Sequence, residues 1–219
     1  MIQAVVFDMD GVLVDTEPHW AAAEEDILDA ALPAGHDVEP ADIMGINVHE
    51  QYDRLSAEYD LEISKEEYFD RFDRTADRVY ERAAPLPGLH DLLDEIDARE
   101  IPIGLCTSSY PRWIELVFEA HDLRDRFDVV VSAATVDGPG KPHPMIYEIV
   151  ADRLGVPPET MLVVEDSESG VAAASASGAY TVAYVADGDD EVERPTADVT
   201  LRRPEALRTH LLARLDGSN

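Results

Sequence analysis

The sequence predicts an α/β protein, a Rossmann-like parallel sheet with helices on both faces, interrupted by an inserted α-helical cap. Three observations predict it. Residues 85–219 alternate apolar strand-like runs with amphipathic stretches, the pattern of a parallel sheet covered on both sides. The run "AVVF" at residues 4–7 is a buried strand with no partner close in sequence, so it must join that sheet. Between the two lies a section, residues 16–84, with helical patterning and no convincing strand. The expected division is therefore a core of residues 1–15 and 85–219 and a cap of residues 16–84.

The elements follow in chain order. Strand one runs into the loop "DMDGV". Residues 18–32, 48–59 and 64–84 are rich in Ala, Glu and Arg and are expected as amphipathic helices. Ser64 with Glu67 three residues later marks the start of the third. "PLPG" at 85–88 punctuates the return to the core. Helices are then expected at 89–100, 111–123, 143–155, 169–179 and 204–215. Strands are expected at 101–109, 127–134, 160–167, 180–186 and 197–201. The Ala- and Ser-rich run 171–179 fits a close-packed helix.

Composition narrows the function classes. There are 47 acids against 17 bases, a net charge of −30. Nucleic acid is excluded as a partner, because phosphate binding needs clustered Lys and Arg. Dispersed acid with only two lysines, Lys65 and Lys141, resembles the make-up of halophilic proteins, in which molar salt shortens the Debye length to about 3 Å and screens self-repulsion; an acidic mesophilic protein is the alternative. The lone cysteine, Cys106, can build neither an intrachain disulfide nor a cysteine metal cluster. No apolar run reaches about 18 residues, so no membrane span is expected. The strand-like start without a basic leader points to a cytoplasmic protein, and a monomer is expected.

Ligands of open parallel sheets bind beyond the carboxyl ends of the strands. Asp8 and Asp10 follow the first strand, and Thr107 and Ser108 follow "IGLC". Lys141 sits in the loop after "VVVSAA", and Glu165 and Asp166 end "MLVV". Oxygen ligands without His or Cys suit a hard cation such as Mg²⁺, which would also relieve the repulsion between neighbouring acids. A carboxylate there can attack phosphorus, and a second acid can protonate the leaving oxygen. A hydroxyl and a lysine, Thr107 and Lys141, can hold the phosphoryl oxygens. Thr107 and Ser108 could equally cap the helix that starts near Pro111.

The segments "DMDGVLVDT", "CTSS", "GKPHP" and "VVEDSESG", in that order and spacing, resemble the haloacid dehalogenase superfamily. Within it they are similar to the helical-cap branch of β-phosphoglucomutase-like proteins and sugar phosphatases. The resemblance implies Asp8 as nucleophile and Asp10 as general acid and base, with its backbone carbonyl on the metal. It implies Mg²⁺ held by Asp8, Asp10 and Asp166, with Glu165 either a ligand or a support behind them, and phosphate bound by Thr107, Ser108 and Lys141. Asp at position 10 favours phosphate chemistry over dehalogenation.

The cap decides the substrate. His19 and Trp20 open its first helix and are candidates for the substrate pocket, Trp20 alternatively packing cap against core. Mutases of this branch carry basic residues in the stretch that here reads Met44, Asn47 and Val48, and Arg112 is a weak substitute. "DTEPHW" is similar to sugar- and hexitol-phosphate phosphatases. The expected activity is Mg²⁺-dependent hydrolysis of a small phosphorylated metabolite, a sugar phosphate or phosphoglycolate. A β-phosphoglucomutase is the alternative, and a non-catalytic binding module the third reading.

Overall fold

The computed structural model describes residues 1–43, 46–185 and 194–217. Strand β1 (Ala4–Phe7) forms the middle of the sheet. The pair β2 (Val14–Asp15) and β3 (Ala84–Pro85) brackets three helices, α1 (Glu17–Ala31), α2 (Val48–Glu58) and α3 (Lys65–Arg82). Beyond β3 follow α4 (Leu89–Asp97), β4 (Ile103–Thr107), α5 (Pro111–His121), β5 (Val129–Ser132) and α6 (Met145–Leu154). The chain closes with β6 (Met161–Glu165), α7 (Glu168–Ser177), β7 (Tyr180–Tyr184), β8 (Val199–Leu201) and α8 (Pro204–Leu215). The six-stranded sheet has the order β5-β4-β1-β6-β7-β8, and every pairing in it is parallel.

Alternation along β1 explains why helices cover both faces. Side chains of successive strand residues point to opposite sides. Val5 and Phe7 join Leu92 and Ile96 of α4, Val117 of α5 and Leu207 of α8 in one apolar cluster. Ala4 and Val6 join Ile146 and Val150 of α6 and Ala173 and Ala174 of α7 in the other. All four residues of β1 are fully buried, which only a central strand between two helical layers can be.

The expected elements are present, with ends trimmed by a few residues; Ala186, at the end of one expected strand, lies outside the described residues. Ser64 caps α3, its side chain accepting from Glu67 N. One feature was not expected. The short strands β2 and β3 pair antiparallel, Val14 with Pro85 and Asp15 with Ala84, where the chain leaves and re-enters the core. Two residues carry no readable periodicity, which hid them in the sequence.

The helical section meets the core through aromatic rings. Trp20 of α1 lies 5.7 Å from Phe72, 5.9 Å from Tyr80 and 5.4 Å from Trp113 of α5. Each such pair contributes roughly 0.5–1.5 kcal/mol beyond area burial. Polar ties add to them. Asn47 donates to Ser108 O and accepts from Tyr110 OH, both at 3.1 Å. Trp113 Nε1 donates to Asp73 at 2.8 Å.

Candidate active site

A cavity of about 110 Å³ lies between the carboxyl edge of the sheet and the helical section. Its floor holds Asp8, Asp10, Thr107, Ser108, Lys141 and Asp166, contributed by the ends of β1, β4 and β6 and by the loop after β5. The strand-end expectation thus places these residues together. Glu165 lies directly behind the floor, fully buried.

Lys141 organises the floor. Its ammonium donates to Asp8 Oδ1 at 2.8 Å and to Glu165 Oε1 at 2.5 Å, and to Cys106 O at 3.4 Å. It is 4% exposed, and the Asp8 and Glu165 charges hold its pKa well above the ordinary lysine value against the cost of burial. Glu165 is satisfied on both oxygens. Oε1 also accepts from Tyr147 OH at 2.6 Å, and Oε2 accepts from Asp166 N at 3.1 Å and Ser167 Oγ at 3.2 Å. Gly170 makes the space, since a Cβ there would stand 2.0 Å from Glu165 Oε1. Glu165 does not line the cavity, and its geometry is that of a group that aims Lys141.

The two opening acids are held differently. Burial pushes Asp8 up to about 8, with Lys141 opposing and Glu165 reinforcing the rise. Asp10 is also raised by burial, while hydrogen bonds pull it back. Thr16 Oγ1 donates to Asp10 Oδ1 at 2.8 Å. Ser109 Oγ and Tyr80 OH donate to Oδ2 at 2.6 and 3.4 Å. Tyr80 belongs to the last turn of α3, so a residue of the helical section touches this acid directly. Burial raises the pKa of Tyr80 far above its ordinary value, which keeps it a donor.

A divalent cation fits this floor. Carboxylate oxygens of Asp8 and Asp166, with one of Glu165 just behind them, lie within 4.8 Å of one another, and the all-oxygen pair facing the cavity suits a hard ion. Gly11, at φ +73°, lets the backbone pass close, since a Cβ there would stand 2.1 Å from Asp166 Oδ2. The Asp10 carboxylate is not part of this cluster, its oxygens being engaged by Thr16, Ser109 and Tyr80.

Other expectations sort as follows. Thr107 is buried and its hydroxyl accepts from Ser109 N at 3.1 Å; neither it nor Ser108 caps α5, whose N-cap is Tyr110 without a side-chain bond. Trp20 does both things expected of it, lining the cavity and packing against the core. His19 lines a separate surface depression with Pro18, Ala23 and Arg78, because adjacent helix positions diverge by about 100°; it is not a pocket residue. Arg112 is bound by Asp73 and Asp77 at 3.0 and 2.7 Å, outside the cavity. Met44 lies outside the described residues. Burial pushes the Cys106 thiol up, which leaves it inert. Sequence reasoning missed Thr16, Tyr80, Ser109 and Tyr147. Thr16 and Ser109 stood within or beside the quoted motifs, whereas Tyr80 and Tyr147 carried no signal.

The chain is 33% identical over 210 residues to the phosphorylated carbohydrates phosphatase of Thermotoga maritima, spanning 94% of this chain and 96% of that one. It is 33% identical to hexitol phosphatase B of Escherichia coli over 91% of each. Among solved structures, CbbY of Rhodobacter sphaeroides in complex with phosphate superposes with a TM-score of 0.78 at 25% identity, covering 94% of this chain and 96% of that one. A β-phosphoglucomutase of Clostridium difficile shares the fold at a TM-score of 0.79 and 24% identity, over 99% and 98%. A haloacid dehalogenase-like hydrolase family model matches residues 2–178, and the chain belongs to that family of enzymes.

Proposed function

We propose that the protein is a Mg²⁺-dependent phosphatase of small phosphomonoesters, of the sugar-phosphate or phosphoglycolate type, that works through an aspartyl phosphate on Asp8. The observation that carries this reading is the pairing of Asp8 with Lys141 on the cavity floor while Asp10, two residues on, is held by a different set of donors. One carboxylate is thereby committed to the phosphoryl group and the other to proton transfer.

Asp8 and Asp166 would hold the cation, which when bound neutralises phosphoryl charge and keeps the carboxylates ionised. An Asp8 oxygen attacks phosphorus, and the bond to the ester oxygen breaks. Asp10 gives its proton to the departing alkoxide. Burial raises its pKa above the ordinary carboxylate value, the direction a general acid needs. Asp10 then takes a proton from water, the water oxygen attacks the aspartyl phosphate, and inorganic phosphate leaves with Asp8 restored. Lys141, aimed by Glu165, and the Thr107 and Ser108 segment hold the phosphoryl oxygens as charge moves. We propose further that residues 16–84 act as a cap, pivoting on β2 and β3, and that closure excludes bulk water.

A mutase needs a second anion site for its bisphosphate. Among the described residues that line the cavity, Lys141 is the one Lys or Arg, which weighs towards hydrolysis. Phosphate release assayed with and without Mg²⁺, for wild type and Asp8→Asn, tests the proposal. Metal-dependent release that vanishes in the variant supports it, and release retained by the variant refutes it.

A further inference from the structure

Resting on that phosphatase reading, we infer that Glu24 makes the enzyme selective for esters whose alcohol part is uncharged and hydroxyl-bearing, and hostile to those carrying a second anionic group. Thr16, Trp20 and Glu24 stand four residues apart and all line the cavity, so one face of α1 forms its wall. Thr16 marks the floor through its bond to Asp10. Glu24 lies eight residues on, about 12 Å along the helix at its Cα, with its side chain leaning back towards the floor. The described walls of the same cavity also include Trp20, Phe72, Trp113, Ile46 and Val48.

Away from the floor, Glu24 is therefore the one charged group among the described lining residues, and it is negative. Gln51 also lines this end, but its amide is turned to the protein. Nε2 donates to Ile43 O and Ile46 O at 3.1 and 3.0 Å, and Oε1 accepts from Tyr68 OH at 3.2 Å. A carboxylate in the cavity wall accepts hydrogen bonds from hydroxyl groups. It repels a substrate carboxylate or second phosphate. A sugar or sugar alcohol meets the first condition, and phosphoglycolate or a bisphosphate fails the second.

Matched ester pairs isolate the charge from size. Sorbitol 6-phosphate and 6-phosphogluconate differ in one terminal CH₂OH against carboxylate, as do glycerol 3-phosphate and 3-phosphoglycerate. The wild type should favour the neutral member of each pair by at least about tenfold in kcat/KM. Glu24→Gln should shrink that preference several-fold, chiefly through KM of the anionic member, and Glu24→Lys should shrink it further or reverse it. Equal or greater activity on the anionic members, or an unchanged ratio in Glu24→Gln, overturns the inference. Binding of the same pairs to Asp8→Asn separates this from the phosphatase reading. If the wild type releases no phosphate but that variant still binds the neutral members more tightly, the phosphatase reading fails and the Glu24 selectivity stands; if it binds both members equally, the selectivity fails as well.

Discussion

Asp8 and Asp10 are two residues apart and live in different parts of the molecule. Asp8 is held by the core alone, through Lys141 from the loop after β5 and Glu165 at the end of β6 behind it. Asp10 is held where core and helical section meet, by Thr16 at the start of α1, Ser109 after β4 and Tyr80 at the end of α3. The first environment is charged and fixed by buried strands. The second is built of neutral hydroxyl groups, two of them on the section proposed to move as a cap. A nucleophile needs a constant position, whereas an acid that also acts as base gains from donors that can rearrange with its protonation state.

The contrast can be broken from either side. Asp8→Asn should remove the proposed nucleophile and lower kcat by at least about 10⁴-fold, read as phosphate release. Lys141→Met should both abolish turnover and destabilise the fold, by about 3–5 kcal/mol in a denaturant titration, because it leaves two buried carboxylates without their counter-charge. Asp10→Asn should cost roughly 10²–10⁴ in kcat and leave Asp8 able to accept a phosphoryl group. Tyr80→Phe should cost less, several-fold in kcat, with the basic limb of the pH profile displaced, since a donor to the carboxylate is lost. Gly170→Ala sharpens the core side. Alanine in a helix ordinarily stabilises by up to about 1 kcal/mol, but here its Cβ would collide with Glu165, so the thermal midpoint should fall and activity with it.

The pKa of Asp8 adds a pH test. Burial raises it to about 8 in the folded, metal-free protein, against an ordinary value near 3.9 when unfolded. Between these values the folded state binds more protons than the unfolded one, so stability should fall as pH rises from about 4 towards 8. Thermal unfolding with EDTA at pH 5 and pH 8 should show that fall, Asp8→Asn should show less of it, and Mg²⁺ should offset it by binding the ionised form. A smaller and more diffuse effect follows from the net charge of −30. The midpoint should rise towards molar KCl as salt screens self-repulsion; full stability in dilute buffer would contradict the halophilic reading.

The same contrast explains what could be read from the chain. Asp8, Lys141, Glu165 and Asp166 were legible because parallel strands bring their carboxyl ends to one edge, so a residue just past an apolar run has a known destination. Tyr80 lies 70 residues from Asp10 on a helix whose rotation no local pattern sets, and Tyr147 reads in sequence as one more buried ring of α6. His19 failed for a related reason, since a helix start predicts which residues are close but not which of two neighbours faces inward. The pair β2 and β3 was invisible because two residues have no period. Glu24 reads in sequence as one more acid in an acidic helix, and only its place in the cavity lining sets it apart.

Phosphate release in molar KCl, with and without Mg²⁺, tests the central claim most directly. The panel should span sugar phosphates, hexitol phosphates and phosphoglycolate, and include β-glucose 1-phosphate with a coupled assay for glucose 6-phosphate. Direct, Mg²⁺-dependent release from a neutral sugar or sugar-alcohol ester, with no glucose 6-phosphate formed, is the result this account predicts. Conversion of β-glucose 1-phosphate to glucose 6-phosphate with little release, or release that ignores Mg²⁺, would contradict it.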